Sequence, residues 1–394
     1  MKRFSVIIVI IGATITFVVL VVSAFVARRQ ADRVDAHPTN PTGPITIGAL
    51  IPLSGSAAAV GIPIRQAAEL AVNEVNAAGG IRGRAMQLAV RDSRCEPREA
   101  VNAGAAFITV DRVPVVFVGG CSSEVLAVAP LAERSETILF SPSATSPAIT
   151  DAGDYVFRNA PSDASQGKLL AEAAIAAGYR QVGILQEDTD YAVGIADVFR
   201  TRLTTLGGTV TLQRYKSEAD SVHDQLAAIA ATHPDALAIV VQSPDKAELI
   251  LQSLPRAALA VPILMNDVAL GATTVLAAHP DVVEGAIGAA LDVDKNNNRY
   301  QEFVAAYMAA FGSAPDYAAY AALSYDGIHL LAEAMRAVGP NSQALRGYLR
   351  SVHNRPGAAG TLTLDTHGDP LAGHVLQRVV HGVPTEYSLP EAKP

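Results

Sequence analysis

The stretch 113–145 reads VPVVFVGGCSSEVLAVAPLAERSETILFSPSAT, and it decides the fold. An apolar run from Val113 to Gly119 is followed by an amphipathic stretch from Ser122 to Arg134 and a second apolar run from Thr137 to Ser141. Short apolar runs bounded by turn residues are typical of buried strands, and the order strand, helix, strand is typical of parallel sheets. The stretch therefore predicts one unit of an open α/β sheet.

The same alternation extends in both directions along the chain. Before this unit the sequence predicts strand Ile45–Leu53, helix Pro63–Ala77, strand Met86–Asp92 and helix Pro97–Val110. After it the pattern starts again, with helices Ala164–Ala177, Ala196–Leu206, Val222–Thr232 and Lys246–Leu254 between strands Val182–Gln186, Thr209–Tyr215, Ala236–Val241 and Ile263–Met265. The last part predicts strand Gly285–Leu291, helices Tyr300–Phe311, Tyr317–Val338 and Ser342–Val352, and short strands Gly360–Leu364 and His374–Val379. The fold class is α/β, with the same architecture used twice.

The amino-acid composition excludes several classes of protein and of binding partner. The chain has 394 residues, of which 50% are hydrophobic and 17% are charged, so disordered, collagen-like and disulfide-scaffold classes are excluded. The net charge of -8 provides no basic field for a phosphate backbone, and no nucleic-acid partner is expected. The absence of Trp also makes stacking platforms for bases or sugars few.

The N-terminal residues 1–29 are predicted to be a signal peptide or an N-terminal membrane anchor. Lys2 and Arg3 precede an apolar run at 4–26, which is typical of export signals. Small residues at 22–24 suit cleavage, yet the run is also about as long as the ~20 residues that span a bilayer, so both alternatives stay open. Residues 30–44 are predicted to be a flexible linker, and the body of the protein is expected to be periplasmic or otherwise extracytoplasmic, with the membrane reached only through this segment.

The chain contains two cysteines, Cys95 and Cys121. An even pair in an exported protein favours a disulfide, while two unpaired buried thiols are the alternative. Closing the loop between these positions would stabilise the fold by about 3.5 kcal/mol in the chain-entropy model.

The turn after Val113–Gly119 predicts an anion site. Its Gly-Cys-Ser-Ser segment opens a helix, and the first N–H groups of a helix have no partner within it. Ser122 or Ser123 can add a hydroxyl, and the next strand brings Ser143 and Thr145 to the same sheet edge. An α-carboxylate fits such a site, although plain helix capping by the serines is the alternative.

Four segments carry a resemblance to a known family. They are GALIPLSG at 48–55, NEVNAAGGIRG at 73–83, GCSS at 120–123 and SPSATSP at 141–147. In this order they resemble the leucine/isoleucine/valine-binding family of periplasmic solute receptors, the type I fold that serves ABC importers. The resemblance covers about residues 45–379 and also matches the family's disulfide.

The resemblance implies two lobes joined by hinge crossovers, each a mostly parallel sheet flanked by helices. Lobe I would comprise residues 45–160 plus 292–356, and lobe II residues 161–291 plus 357–388. A small amino acid, amide or short carboxylate would bind between the lobes, and hinge closure would trap it. The expected partners are permease subunits of an ABC transporter, and a monomer is expected.

The resemblance also implies ligand-binding residues. Ser122, Ser143 and Thr145 would grip the carboxylate and ammonium, with Ser143 acting through its carbonyl, and Ser123 and Ala144 lie in the same two loops. Tyr191 would cover the ligand, Asp267 would pair with its ammonium, Gln242 would line the opposite wall, and Val60 stands at a pocket position that is aromatic in well-known relatives. The alternatives are an exposed loop tyrosine for Tyr191 and a surface or capping carboxylate for Asp267.

No catalytic residue, metal site or cofactor is predicted. The sequence contains neither a G-x-S-x-G elbow nor an H-E-x-x-H motif. A membrane-tethered ligand sensor of the same fold is the main alternative to a transport receptor. An amidase or other hydrolase is the alternative from the enzyme class.

Overall fold

The computed structural model describes residues 43–257 and 259–389. The predicted N-terminal segment 1–29 lies outside the described residues, as does nearly all of the predicted linker. Within the described ranges, helices and strands alternate as the sequence indicates, and two large sheets organise them.

The first sheet has five strands, all parallel, in the order β2-β1-β3-β4-β5. They are β1 Ile45–Ile51, β2 Met86–Asp92, β3 Val115–Val118, β4 Ile138–Ser141 and β5 Val156–Arg158. Alternate side chains of β3 enter different cores, since Phe117 packs in one hydrophobic cluster and Val116 and Val118 pack in another. Burial on both faces explains why these strands are apolar throughout.

Helices cover both faces of this sheet. They are α1 Ala58–Ala77, α2 Pro97–Ala105, which continues as a π-helical turn at Ala106–Val110, and α3 Ser122–Arg134. The second sheet has seven strands in the order β14-β13-β10-β9-β8-β6-β7, namely β6 Gln181–Glu187, β7 Thr209–Tyr215, β8 Ala236–Val240, β9 Ile263–Met265, β10 Ile287–Leu291, β13 His374–Val380 and β14 Val383–Glu386. Strands β13 and β14 are antiparallel to their neighbours, and the others are parallel.

The helices of the second half are short and numerous. They are α4 Asp163–Ala176, α5 Asp190–Thr205, α6 His223–Ala230, α7 Pro244–Ser253, α8 Asp267–Gly271, α9 Thr273–Ala278 and α10 Pro280–Val283. The chain then returns to the first sheet with α11 Asn298–Phe311, α12 Ala318–Val338 and α13 Ser342–Leu349, of which α12 packs along α1. A two-stranded ribbon, β11 Arg355–Pro356 and β12 Thr361–Leu362, follows them.

The described chain crosses between the sheets after β5, after β10 and before β13. Leu364 still packs in the core of the first sheet, so the last crossing comes beyond the predicted boundary at 356. A buried ion pair joins the first crossing to the last, because Arg158 donates to both carboxylate oxygens of Asp369 at 2.7 and 2.6 Å. The same guanidinium donates to the carbonyls of Ala144 and Ser146, in the loop after β4.

The structure departs from several predicted boundaries. Helix α1 begins at Ala58 instead of Pro63, so the proline, which fits a first turn, lies inside the helix. Helix α5 begins at Asp190 instead of Ala196, because Thr189 caps it by accepting a hydrogen bond from the Ala192 N–H. The short helices at 267–283 and the strands β5 and β14 were not predicted.

Candidate functional site

A small pocket lies between the carboxyl end of β3 and elements of the second sheet, with a cavity volume of about 40 Å³. Its apolar lining consists of Pro52, Ala57, Val60, Val268, Gly119 and Gly120. Its polar lining consists of Cys121, Ser122, Ser143, Tyr191, Gln242 and Tyr320. None of these described lining residues carries a charged side chain at neutral pH.

The start of α3 supplies hydrogen-bond donors to this pocket. Cys121 is the N-cap residue, with an extended backbone, and its own N–H is taken by the Glu124 carboxylate at 2.8 Å. Among the described residues, no group accepts a hydrogen bond from the N–H of Ser122 or of Ser123. Unpaired N–H groups at a helix start attract anions through the helix dipole and through direct hydrogen bonds.

Glu124 sits beneath this helix start and is fully buried. Burial raises the pKa of its carboxyl group to about 7, and the hydrogen bond from the Cys121 N–H only partly offsets that effect. A side chain at Gly120 would collide with this group, since its Cβ would lie 2.1 Å from Glu124 Oε2. The glycine therefore lets the carboxyl group pack directly against the turn.

Hydrogen bonds fix the two loops of the first sheet against each other. Ser122 Oγ accepts from the Ser146 N–H at 3.1 Å, and Ser143 Oγ donates to the Gly120 carbonyl at 2.8 Å. The Ser122 hydroxyl proton has no partner among the described residues, so it can donate into the pocket. These bonds hold the donors in place before any ligand arrives.

The predicted disulfide is confirmed, since Cys95 and Cys121 are joined. It lies against the second-sheet side of the pocket, where the Gln242 amide nitrogen contacts both sulfurs. The Gln242 N–H donates to Glu187 at 2.7 Å, whereas its side-chain Oε1 is buried with no partner among the described residues. Gln242 thus brings a neutral acceptor to the wall opposite α3.

Asp267, at the start of α8, is surrounded by donors of the protein itself. Its Oδ1 accepts from the Tyr191 hydroxyl and from Gln166 Nε2 at 2.9 Å. Its Oδ2 accepts from the Tyr320 hydroxyl at 2.5 Å. The two tyrosines line the pocket and Asp267 does not, so the phenol groups separate the carboxylate from the cavity.

A second buried carboxyl group lies beside Asp267. Asp163 accepts from Gln166 Nε2 at 2.8 Å, and burial together with the nearby Asp267 charge raises its pKa well above the usual range. His374 lies 3.2 Å from the same Gln166 nitrogen, and burial lowers its pKa to about 4. Asp163 therefore favours its protonated form and His374 its neutral form, and the side chains that donate to Asp267 are all uncharged.

The structure brings together only part of the predicted set. Val60, Ser122, Ser143, Tyr191 and Gln242 line the pocket. Ser123, Ala144, Thr145 and Asp267 do not line it, and Thr145 is fully buried with an unpartnered hydroxyl. Tyr191 lies in the first turn of α5, whereas the sequence suggested a loop before a later helix.

Tyr320 and Gln166 were missed by the sequence analysis. Both fall inside predicted helices, and no local pattern shows that Tyr320, carried by a helix that packs on α1, would reach Asp267. Three residues earlier, Tyr317 donates instead to the Val268 carbonyl at 3.3 Å. Helical spacing alone does not separate these two tyrosines.

Residues 43–257 and 259–389 contain no group of three or more His, Cys, Asp or Glu side chains arranged to hold a metal ion. In the same ranges, no helix has both the length and the apolar character needed to cross a bilayer.

Comparison with known proteins identifies the family. The periplasmic binding protein family model matches residues 44–379. A "Leu/Ile/Val-binding protein homolog 1" from Brucella suis is 28% identical over 363 residues, which cover 87% of this chain and 92% of the relative. An "Amino acid binding protein" from Pseudomonas aeruginosa is 28% identical over 171 residues, and this match spans 43% of this chain and 46% of the relative.

Solved structures agree with these sequence matches. A leucine-binding protein from Thermotoga maritima superimposes with a TM-score of 0.79 at 26% identity, covering 87% of this chain and 98% of the other. The matched proteins are binding proteins and not enzymes, and they are two-lobed α/β structures. The chain belongs to the periplasmic binding protein family.

Proposed function

We propose that this chain is the substrate-binding protein of an ABC importer, and that it carries a small carboxylate ligand in the pocket beside α3. The class includes branched-chain and related amino acids, amides with a free carboxylate, and short carboxylic acids. The single observation that carries the proposal is the pair of unpartnered N–H groups, of Ser122 and Ser123, at a helix start beside the pocket. The printed names of the relatives, which bind leucine or other amino acids, support it.

The pocket suits an anion on energetic grounds. Hydrogen bonds to a charged group contribute about 1.5 to 3 kcal/mol each, so three of them at the upper end reach the ~8.2 kcal/mol of a micromolar dissociation constant, and weaker ones reach it together with apolar contacts. The Ser122 hydroxyl can add a further donor, and Ser143 holds the turn in position. Apolar residues such as Val60 and Val268 then surround the rest of the ligand.

Hinge closure provides the trapping step. Ser122 and Tyr320 come from elements of the first sheet, whereas Tyr191 and Gln242 come from elements of the second. Contacts across the cleft, such as Ser146 Oγ to the Asp190 carbonyl at 3.1 Å, exist only when the two sheets approach each other. A ligand that touches both walls therefore favours the closed form.

Location and partners follow from the family. Membership of this family implies an extracytoplasmic location, and the proposed partners are the permease subunits of the importer. A monomer is sufficient, because both walls of the pocket come from one chain. Mass spectrometry of the N-terminus separates a released receptor, starting near Phe25, from a tethered sensor that retains Lys2.

A thermal-shift screen followed by calorimetry tests the proposed function. Amino acids, short carboxylic acids and their amides are added to the purified protein, and at least one carboxylate should raise Tm at millimolar concentration. The primary amide of that carboxylate should raise it far less, because it brings no charge to the helix start. Equal shifts by the acid and its amide, or turnover of the amide, would contradict the proposal.

A further inference from the structure

The pocket lining offers hydrogen-bond donors to the carboxylate of an amino acid but no opposite charge to its ammonium group. Resting on the proposed function, we propose that the ligand is a carboxylate without an ammonium group beside it, such as an aliphatic, oxo, hydroxy or aromatic acid. Asp267 then acts as a positioning residue for Tyr191 and Tyr320 and does not bind a ligand cation. The following contacts carry this inference.

The first observation is the lining itself. The twelve residues around the pocket include helix-start donors but no carboxylate. An ammonium group that enters loses its water and meets no opposite charge, which is very costly in a cavity of low polarity. A carboxylate in the same space can accept hydrogen bonds from the N–H groups at the start of α3. The pocket therefore stabilises the carboxylate of an amino acid but not its ammonium group.

The second observation is the state of Asp267. Both of its oxygens already accept hydrogen bonds, from Gln166 Nε2 and from the hydroxyls of Tyr191 and Tyr320. Asn266 Nδ2 also donates to the Tyr191 hydroxyl at 2.7 Å, so that oxygen has an occupied lone pair as well. A ligand ammonium would have to displace a buried phenol before it reached the carboxylate.

The other nearby acidic side chains are buried outside the pocket lining, although one oxygen each of Asp163 and Glu124 has no partner among the described residues. Asp163 is fully buried and accepts from Gln166, Glu187 accepts from the Gln242 N–H, and Glu124 accepts from the Cys121 N–H. None of the three lines the pocket. No acidic side chain of the described residues is therefore available to replace Asp267 as a counter-ion.

The lining also offers a neutral acceptor. The buried Oε1 of Gln242 has no partner among the described residues. A neutral amide oxygen can accept a hydrogen bond from a ligand hydroxyl, but it cannot neutralise a cation. This acceptor is consistent with hydroxy acids and adds nothing for an amino acid.

Matched pairs of ligands test the inference on the full chain. Calorimetry compares alanine with propionate, valine with 3-methylbutanoate, leucine with 4-methylpentanoate, and phenylalanine with 3-phenylpropanoate. For every skeleton that fits, the acid without the amino group should bind at least tenfold more tightly. Tighter binding of the amino acid would overturn the inference and leave the proposed function standing, whereas no binding by any carboxylate would overturn both.

A single variant tests the role of Asp267. Tyr320→Phe removes the hydroxyl that occupies Asp267 Oδ2 and opens this oxygen toward the pocket. The preference for the acid over its amino acid should fall at least threefold in this variant. Tyr317→Phe is the matched control, because that hydroxyl contacts the Val268 carbonyl and not Asp267. An unchanged preference in Tyr320→Phe, or an equal fall in both variants, would contradict the inference.

Discussion

The two ends of the pocket differ in what they leave unpaired. At the start of α3, the N–H groups of Ser122 and Ser123 have no partner among the described residues. At the start of α8, Asp267 has a donor on each oxygen. A free donor can bind a ligand at once, whereas Asp267 lies behind the two phenols that donate to it, so we expect the first end to recognise a ligand charge and the second to shape the wall.

The same difference separates two kinds of buried carboxyl group. Glu124 supports the free donors from below and holds one of the turn's N–H groups. Asp267 instead joins residues from three separate helices. Variants at the two ends of the pocket test these two roles.

Removing the acceptor at the second end should have the largest effect. Asp267→Ala leaves two phenol hydroxyls and one N–H of the Gln166 amide without their acceptor, and each unsatisfied buried donor costs about 1 to 3 kcal/mol. We expect the free energy of unfolding to fall by about 3 kcal/mol or more, measured by denaturant titration. Asp267→Asn keeps one oxygen and should lose less. If the free energy of unfolding falls by less than about 1 kcal/mol in Asp267→Ala, this carboxylate does not hold the three helices together.

Removing one donor at the first end should mainly affect binding. Ser122→Pro deletes the N–H and hydroxyl at the first helical position, where proline is well tolerated, and the extended backbone of Cys121 suits a following proline. Ser122→Ala deletes the hydroxyl alone and serves as the control. The proline variant should bind a carboxylate about tenfold to a hundredfold more weakly than the alanine variant, measured by calorimetry. Equal affinities would show that this N–H does not contact the ligand.

The pH dependence of the free energy of unfolding tests the role of Glu124, which lies beneath the N–H groups of Ser122 and Ser123. The pKa of Glu124 is raised to about 7 in the folded protein from an ordinary value of 4.5, so the folded state holds this proton more tightly than the unfolded state. Its contribution is therefore complete below pH 4.5 and is lost as the pH rises through 7. Between pH 5 and 7 this loss amounts to about 2 kcal/mol, and Glu124→Gln should abolish it.

The control for that experiment is Glu99→Gln, which changes an exposed glutamate in the first turn of α2. Denaturant titrations at several pH values compare both variants with the unchanged protein. If the free energy of unfolding falls with pH as steeply in Glu124→Gln as in Glu99→Gln, the buried carboxyl group does not keep its proton.

The sequence predicted the first end well because its signal is local. A strand, a Gly-Gly turn and a helix start lie within about ten residues, so the order alone places the donors at the sheet edge. The confirmed elements β2, α3, β7 and β9 have the predicted bounds for the same reason, since an apolar run and its caps are adjacent in the chain. The disulfide was predicted because the chain has only two cysteines.

The second end could not be predicted in the same way. Asp267 meets Gln166, Tyr191 and Tyr320 through tertiary packing, across as many as 101 residues of sequence. Which of two neighbouring tyrosines reaches the carboxylate depends on the rotation of α12, and no residue pattern reports that rotation. Thr145 was expected at the ligand, but its loop turns it inward and leaves Ser143 at the surface of the pocket.

The Arg158–Asp369 pair has a mechanical consequence for transport. Its guanidinium ties the start of one interlobe segment to the start of another and fastens the loop after β4 to both. Segments that are tied together at one point can bend only beside that point, so we expect the proposed hinge axis to pass next to this ion pair. In the proposed transport cycle every opening should then follow nearly the same arc, and the proposed permease partner would meet one reproducible open shape.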